Sequence, residues 1–310
     1  MTWLTAVLIA ALAVTALPWI LELRRRPMDD AARQSAPGQF ADLPQGRTHY
    51  HWTGPTNGPV AVCVHGLTTP GYVWRDVADG LAAMGYRVLV YDHIGRGFSD
   101  RARQVQDRAF FIDHLDALLA HEGVDQPVTL LGYSMGGAVA TVYAARHPAR
   151  VRALILLAPA GMGRVAVGVN GMLLNTPLLG DWLMLTTYPK QFREGIEAER
   201  ASGHDATDVN DRQLAELETR GFVPAVLASL RGLMSEVLEQ DHRAILRAGI
   251  PVLAIWGRED EVIPLAAADV LTTWNPDVRT VIVDGAGHGL PYTHGQDVIE
   301  DIAGFLDTRT

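Results

Sequence analysis

The run VTLLGYSMGGAVA at 128–140 sets Ser134 where an apolar stretch meets a glycine-rich one. Gly132-Tyr133-Ser134-Met135-Gly136 has the spacing G-x-S-x-G, between a strand-like and a helix-like pattern. That context suits a nucleophile held in a sharp turn, with glycines on both sides removing side chains that would strike neighbouring backbone. The following helix start, with the Met135 N–H, is placed to stabilise a developing oxyanion. The chemistry implied is acyl transfer. A serine hydroxyl reacts poorly alone, so a base and a carboxylate that orients the base must come from elsewhere in the chain.

Eleven histidines compete for the role of base. His288, in VDGAGHGLP, follows a strand-like run in a glycine-rich loop, from which an imidazole can reach a sheet edge. His294 is its local rival. His147, in RHP, is expected to cap a helix, and His65, in the HG turn, to be architectural. His114, His121, His204 and His242 lie on polar helical stretches, where a solvated surface is the expectation. IWGREDEVIP offers Glu259, Asp260 and Glu261 as the carboxylate. The turn after Gly257 and the proline at 264 frame Asp260, with Glu259 as the rival.

These residues need a scaffold. Short apolar runs at 59–66, 86–97, 128–134, 151–159, 250–257 and 279–285 read as strands. Helical patterns lie between them, as in 74–85, where Trp74, Val77, Leu81 and Met84 share a face, and in 110–123 with Phe111, Leu115, Leu118 and Leu119. A last helix is expected over DVIEDIAGFL. The alternation predicts an α/β fold with a mainly parallel sheet covered on both faces. In such sheets the chemistry gathers beyond the carboxyl ends of the strands. Residues 160–245 interrupt the alternation and read as an inserted helical cap. Its Met162, Met172, Trp182, Met184 and Tyr188 are either pocket lining or ordinary core.

The first residues form a different unit. No charge occurs from Met1 to Leu21. A helix over Trp3 to Leu21 would be about 28 Å long at about 1.5 Å per residue, near the hydrocarbon thickness of a bilayer. Trp3 and Trp19 would fall near its two interfaces. A cleaved signal peptide is the rival, with VTA at 14–16 as a cleavage site. No Lys or Arg precedes the apolar run, which favours a retained anchor over residues 1–23. Arg24, Arg25 and Arg26 follow directly and place the remainder on the cytoplasmic side. Residues 24–46 are polar, with three prolines, and read as a linker to a domain at 47–310.

The elements HGL at 65–67, DHIGRGFSD at 92–100, GYSMGG at 132–137, GREDEVIP at 257–264 and GAGHGLP at 285–291 together resemble the α/β-hydrolase fold superfamily. The resemblance covers the chain from about residue 47 and matches the order nucleophile, acid, histidine. It implies Ser134 as nucleophile, His288 as base and Asp260 as orienter. It also implies an oxyanion hole from the backbone N–H groups of Leu67 and Met135, and a structural role for Asp92, Gly95, Gly97 and Ser99. Ser134 departs from the dehalogenase and epoxide-hydrolase branches, which carry aspartate there.

Composition bounds the partners. The 310 residues are 48% hydrophobic with a net charge of -9. No basic cluster interleaved with aromatics appears, so nucleic acid is not expected. The single cysteine, Cys63, reads as a buried strand residue and excludes an internal disulfide. No dinucleotide fingerprint, phosphate loop or metal-ligand spacing is present, so no cofactor and no metal are expected. Three readings remain: a serine hydrolase of small, lipophilic carboxylic esters, a hydrolase of carbon–carbon bonds in vinylogous diketones, and a catalytically silent binding homologue.

Overall fold

Residues Val60–Val64 (β3), Val128–Tyr133 (β5) and Val252–Gly257 (β7) are buried along their whole length. Near-continuous apolar runs of this kind are what a sheet covered on both faces requires. The computed structural model of the chain describes residues 3–101, 104–163, 175–201 and 206–307. Its eight strands form one sheet in the order β1-β2-β4-β3-β5-β6-β7-β8. The remaining strands are β1 (Gln39–Leu43), β2 (Gly46–Thr53), β4 (Arg87–Tyr91), β6 (Val151–Leu157) and β8 (Arg279–Val283). From β4 to β8 every pairing is parallel, while β1–β2 and β2–β4 are antiparallel. All six strands expected from the sequence are present.

The sheet divides the core in two. On one face Leu130, Leu154, Leu156 and Trp256 pack with Phe111, Leu115 and Leu118 of α4 (Arg108–His121) and with Val139 and Tyr143 of α5 (Met135–Arg146). On the other, Leu131, Ile155, Leu253 and Cys63 pack with Val77 and Leu81 of α3 (Arg75–Ala83) and with Ile302 and Phe305 of the last helix (Gly295–Leu306). Each fully buried side chain of this size contributes about 1.5–3 kcal/mol. Asp107 caps α4 by accepting the Phe110 N–H at 2.9 Å.

Three expectations are corrected. Residues 24–46 are not a free linker: they contain α2 (Asp30–Arg33) and β1, which pairs with β2 across a two-residue turn at Pro44–Gln45. The first helix, α1 (Trp3–Arg24), docks on the cap through its second half. The buried Glu22 carboxylate accepts the Gly221 N–H at 2.5 Å and pairs with Arg25 at 2.7 Å, and Arg26 bridges Thr219. Trp19 packs against the cap's own cluster of Met184, Leu185, Tyr188 and Phe222. The cap helices, α6 (Leu179–Ala201), α7 (Thr207–Glu216) and α8 (Phe222–Arg231), are followed by α9 (Glu239–Arg247). That helix belongs to the sheet's own packing, since Leu238 and Ile245 join the core around α5.

The third correction concerns histidines read as solvated. His114 and His242 are fully buried, whereas His121 is exposed. His204 lies outside the described residues. His114 bonds the Thr48 hydroxyl at 2.8 Å, and His242 stacks on Trp274. Burial pushes His114 down to about 3 and His242 to about 4. Both rings are neutral in the fold, so the unfolded chain takes up their protons first as pH falls. Their stabilising contribution is complete above about 6.5 and is lost progressively towards about 4. Burial lowers His65 and His93 in the same way. Burial lowers His51 as well; Glu216, raised by burial to about 7, Asp301, raised by burial, and His49, raised by Asp92 against its burial, act in the opposite sense, three groups against five. The melting temperature is therefore expected to fall steadily between pH 6.5 and 4.5, and calorimetry showing a flat profile there would contradict it.

Candidate active site

Ser134 sits between β5 and α5 with φ 54° and ψ −119°, a region that side-chain-bearing residues rarely adopt. Such a conformation costs about 1–3 kcal/mol and persists only where the surroundings over-determine it. Here the Ser134 N–H donates to the Leu157 carbonyl at 3.0 Å, and the Ser134 carbonyl accepts from Gly137 at 2.9 Å and Ala160 at 3.0 Å. Close approach fixes the neighbours as well. A Cβ on Gly136 would lie 2.0 Å from the Val64 carbonyl oxygen, and one on Gly132 2.3 Å from that of Gly136.

The loop after β8 brings His288 to this serine. Its Nε2 lies 3.0 Å from Ser134 Oγ, and its Nδ1 lies 2.8 Å from Asp260 Oδ2. Asp260 follows β7, and its Oδ1 accepts the Val262 and Ile263 N–H groups, each at 2.8 Å. One carboxylate oxygen is thus held by the backbone and the other meets the imidazole. With Nδ1–H donating to the carboxylate, Nε2 presents its lone pair to the serine hydroxyl. The Tyr133 hydroxyl donates to the His288 carbonyl at 3.0 Å and its ring flanks the imidazole. The rivals point elsewhere: Glu259 and Glu261 are exposed, and His294 Nδ1 meets Thr293 Oγ1 at 2.9 Å.

Met135 is the first residue of α5, where backbone N–H groups have no partner within the helix. Leu67 follows β3, and Gly66 packs against Ser134, since a Cβ there would lie 3.3 Å from that of the serine. Two buried side chains fix this turn. His65 Nε2 accepts the His93 N–H at 2.8 Å, which leaves the proton on Nδ1 to donate to the Gly66 carbonyl at 2.7 Å. Burial lowers His65 to about 4, so the ring keeps that neutral tautomer. The architectural role expected of His65 is what this geometry describes. Arg96 was not singled out by its sequence. Its Nε donates to the Leu67 carbonyl at 3.0 Å, and its Nη2 to the Ala225 carbonyl at 3.2 Å and Ser229 Oγ at 2.8 Å, both in α8. The only available signal was its place between Gly95 and Gly97.

Because His65 is fully buried and holds the 65–67 turn from behind, His65→Leu is expected to lower kcat about 10- to 100-fold, less than removal of a direct transition-state donor costs. KM should change little. An unchanged kcat in a folded variant would remove the positioning role.

Asp92 anchors the structural loop. It accepts N–H groups of Gly71 at 2.7 Å and Phe98 at 3.0 Å, and bonds His49 Nδ1 at 2.8 Å. Burial alone would raise its carboxyl, but His49 and the backbone donors hold it down at about 2. Ser99 closes the loop by donating to the Asp92 carbonyl at 2.7 Å.

Ser134 and His288 open into a cavity of about 920 Å³, lined also by Leu67, Tyr188, Phe192, Ile196 and Met234. Its polar wall includes Gln213, which donates to Thr69 Oγ1 at 3.0 Å, and Tyr292, which donates to Glu199 at 2.8 Å. Of the cap residues considered as lining, Tyr188 is here. Met184 faces a second cavity beside α1, Trp182 meets α1, and Met162 packs on the core. Met172 lies outside the described residues.

Known proteins are similar to this chain in sequence and fold. The chain is 32% identical over 263 residues to a pimeloyl-[acyl-carrier protein] methyl ester esterase of Aeromonas hydrophila, covering 80% of this chain and 96% of the relative. It is 28% identical over 274 residues to a 2-hydroxymuconate semialdehyde hydrolase of Pseudomonas sp. strain CF600, covering 84% and 90%. Among solved structures, a membrane phospholipase A described as a bacterial virulence factor superposes with a TM-score of 0.69 at 21% identity, over 98% of this chain and 96% of its own. An enol-lactonase from Burkholderia xenovorans LB400 gives 0.73 at 18% identity, over 87% and 100%. A family model described as the alpha/beta hydrolase fold matches residues 59–295, and the chain belongs to that family.

Proposed function

We propose that the protein is a membrane-anchored serine hydrolase that cleaves lipophilic carboxylic esters through an acyl-enzyme on Ser134. The observation that carries this reading is the run of hydrogen bonds from Asp260 through His288 to Ser134 at the floor of a largely apolar cavity. His288 Nε2 accepts the Ser134 proton as Oγ attacks the ester carbonyl. Asp260 holds the tautomer and stabilises the imidazolium, while the N–H groups of Leu67 and Met135 receive the oxyanion. The proton passes to the leaving alkoxide, and the alcohol departs. Water then attacks the acyl-enzyme with His288 as base and releases the acid.

The esterase relative supports ester cleavage, and α1 supports anchoring. In the anchored reading α1 spans the bilayer, and Arg24, Arg25 and Arg26 keep the hydrolase domain on the cytoplasmic side. A panel of p-nitrophenyl esters of graded acyl length tests the substrate class, with activity expected to rise with length. Added protease should spare the domain in intact cells and digest it in inverted vesicles; the reverse would overturn the topology alone. A second reading, carbon–carbon bond hydrolysis, is favoured by the likeness to the semialdehyde hydrolase. Turnover of a ring-cleavage product exceeding that of every ester would establish it. A fluorophosphonate probe that failed to label the folded protein would instead favour a binding homologue.

A further inference from the structure

The indole Nε1 of Trp182, in the first turn of α6, donates to the Val14 carbonyl of α1 at 3.3 Å. Val14 lies midway along α1. Further along both helices, Trp19 packs against the cluster that holds Met184 and Leu185, and Glu22 accepts the N–H of Gly221, next to Phe222, whose ring meets Phe192 of α6. The two helices therefore run in the same direction, and Leu178 and Leu179 lie beyond Val14, towards the start of α1. Leu178 is 75% exposed and Leu179 44%, beside an α1 whose leucines and valines are exposed along its length.

The sequence leading into and through this part of α6 carries little charge. From Val165 to Pro189 the sequence contains one charge, Asp181. Asp181 is paired with Arg231 of α8 at 3.1 Å and also accepts the Leu178 N–H at 3.2 Å. The hydroxyls of Thr186 and Thr187 donate back to carbonyls of their own helix at Trp182 and Leu183, as Thr15 does in α1. Polar groups in hydrocarbon need such internal partners. The basic boundary also coincides. Arg24 lies about 15 Å along α1 from Val14, and Lys190 about 12 Å along α6 from Trp182, at about 1.5 Å per residue. A flanking cation on each helix marks one water boundary.

We propose that the start of α6, from Leu178 to Trp182, is a second membrane-embedded element, seated in bilayer hydrocarbon beside α1. This rests on the reading of α1 as a span. Its partner is the acyl region of the lipid itself. Farther along, the same helix lines the catalytic cavity with Tyr188, Phe192 and Ile196. One helix thus links the proposed embedded turn to the cavity that holds Ser134.

The test uses the full-length protein in phosphatidylcholine–phosphatidylglycerol vesicles. Single cysteines at Val7→Cys, Leu179→Cys and Val237→Cys carry an environment-sensitive fluorophore; Cys63 is fully buried and takes no label. Doxyl-labelled lipids should quench the labels at positions 7 and 179, and aqueous iodide should quench only the label at 237. Iodide quenching at 179 with lipid quenching retained at 7 would overturn this proposal and leave the span standing. Iodide quenching at 7 would overturn the span and this proposal together. In addition, the double variant Leu178→Glu, Leu179→Glu should raise KM for a vesicle-borne ester about 10-fold or more, given the cost of charge in hydrocarbon. Its kinetics on a small soluble ester should stay at the wild-type level. Equal KM values on the vesicle ester would count against the proposal.

Discussion

Replacing Ser134 with alanine is expected to abolish labelling by a fluorophosphonate probe and to lower kcat by about 10³- to 10⁶-fold. The expectation follows from geometry. The serine hydroxyl lies 3.0 Å from His288 Nε2 and opens into the cavity, in a backbone conformation that costs energy to hold. Alanine keeps the turn's backbone and removes only the oxygen, so the melting temperature should not fall. Steady-state kinetics on the best ester of the panel supply the measurement. Turnover near the wild-type value in a folded Ser134→Ala protein would move the nucleophile elsewhere and end the acyl-enzyme reading.

The second large effect is expected at Asp260. In Asp260→Asn the side-chain amide can still fill the space, and its oxygen or NH₂ can still meet the backbone. It no longer stabilises an imidazolium, and an NH₂ turned towards Nδ1 would demand a proton acceptor there. The ring would then carry its proton on Nε2, facing the serine with a donor instead of a lone pair. A wrong tautomer of this kind costs about 10⁴-fold in kcat. Glu259→Gln is the matched control, since Glu259 is exposed at the cavity rim and its backbone N–H donates to the Ala286 carbonyl, away from His288 Nδ1. Comparison of kcat for the two variants decides the assignment, and the reverse order would move the acid one residue back.

The spacing around Ser134 was legible because local chemistry dictates it. The glycines, the turn and the buried strand lie within one short segment, and each is demanded by its neighbours. His288 and Asp260 were legible as loop residues after strand-like runs, although their approach to Ser134 is a product of the sheet order. The β1–β2 hairpin was not legible. Its strands are short, β1 lies at the sheet edge, and β2 buries Thr48 and His49, so no apolar period marks it. His114 shows a signal that was present and misread. It lies three residues after Phe111 and four before Leu118, on the buried face of α4, where side-chain polarity suggested solvent. The docking of Glu22 on Gly221 joins residues 199 apart in the chain, and nothing near either residue announces the other.

Arg96 gives the cap a mechanical connection to the chemistry. One rigid guanidinium spans the Leu67 carbonyl on one side and the Ala225 carbonyl and Ser229 hydroxyl on the other, wholly inside the protein. Burial lowers its basicity to about 9, and it keeps its charge at neutral pH. Sliding α8 away from the sheet would strand that cation, which is expensive in a dry interior. The arginine therefore acts as a strut rather than a hinge pin: α8 and the Leu67 peptide travel together or not at all. Grafting a foreign cap onto this sheet, to borrow its substrate preference, would carry a hidden requirement. The graft must reproduce the two acceptors offered by α8, or the host turn beside the serine loses its brace along with its old specificity.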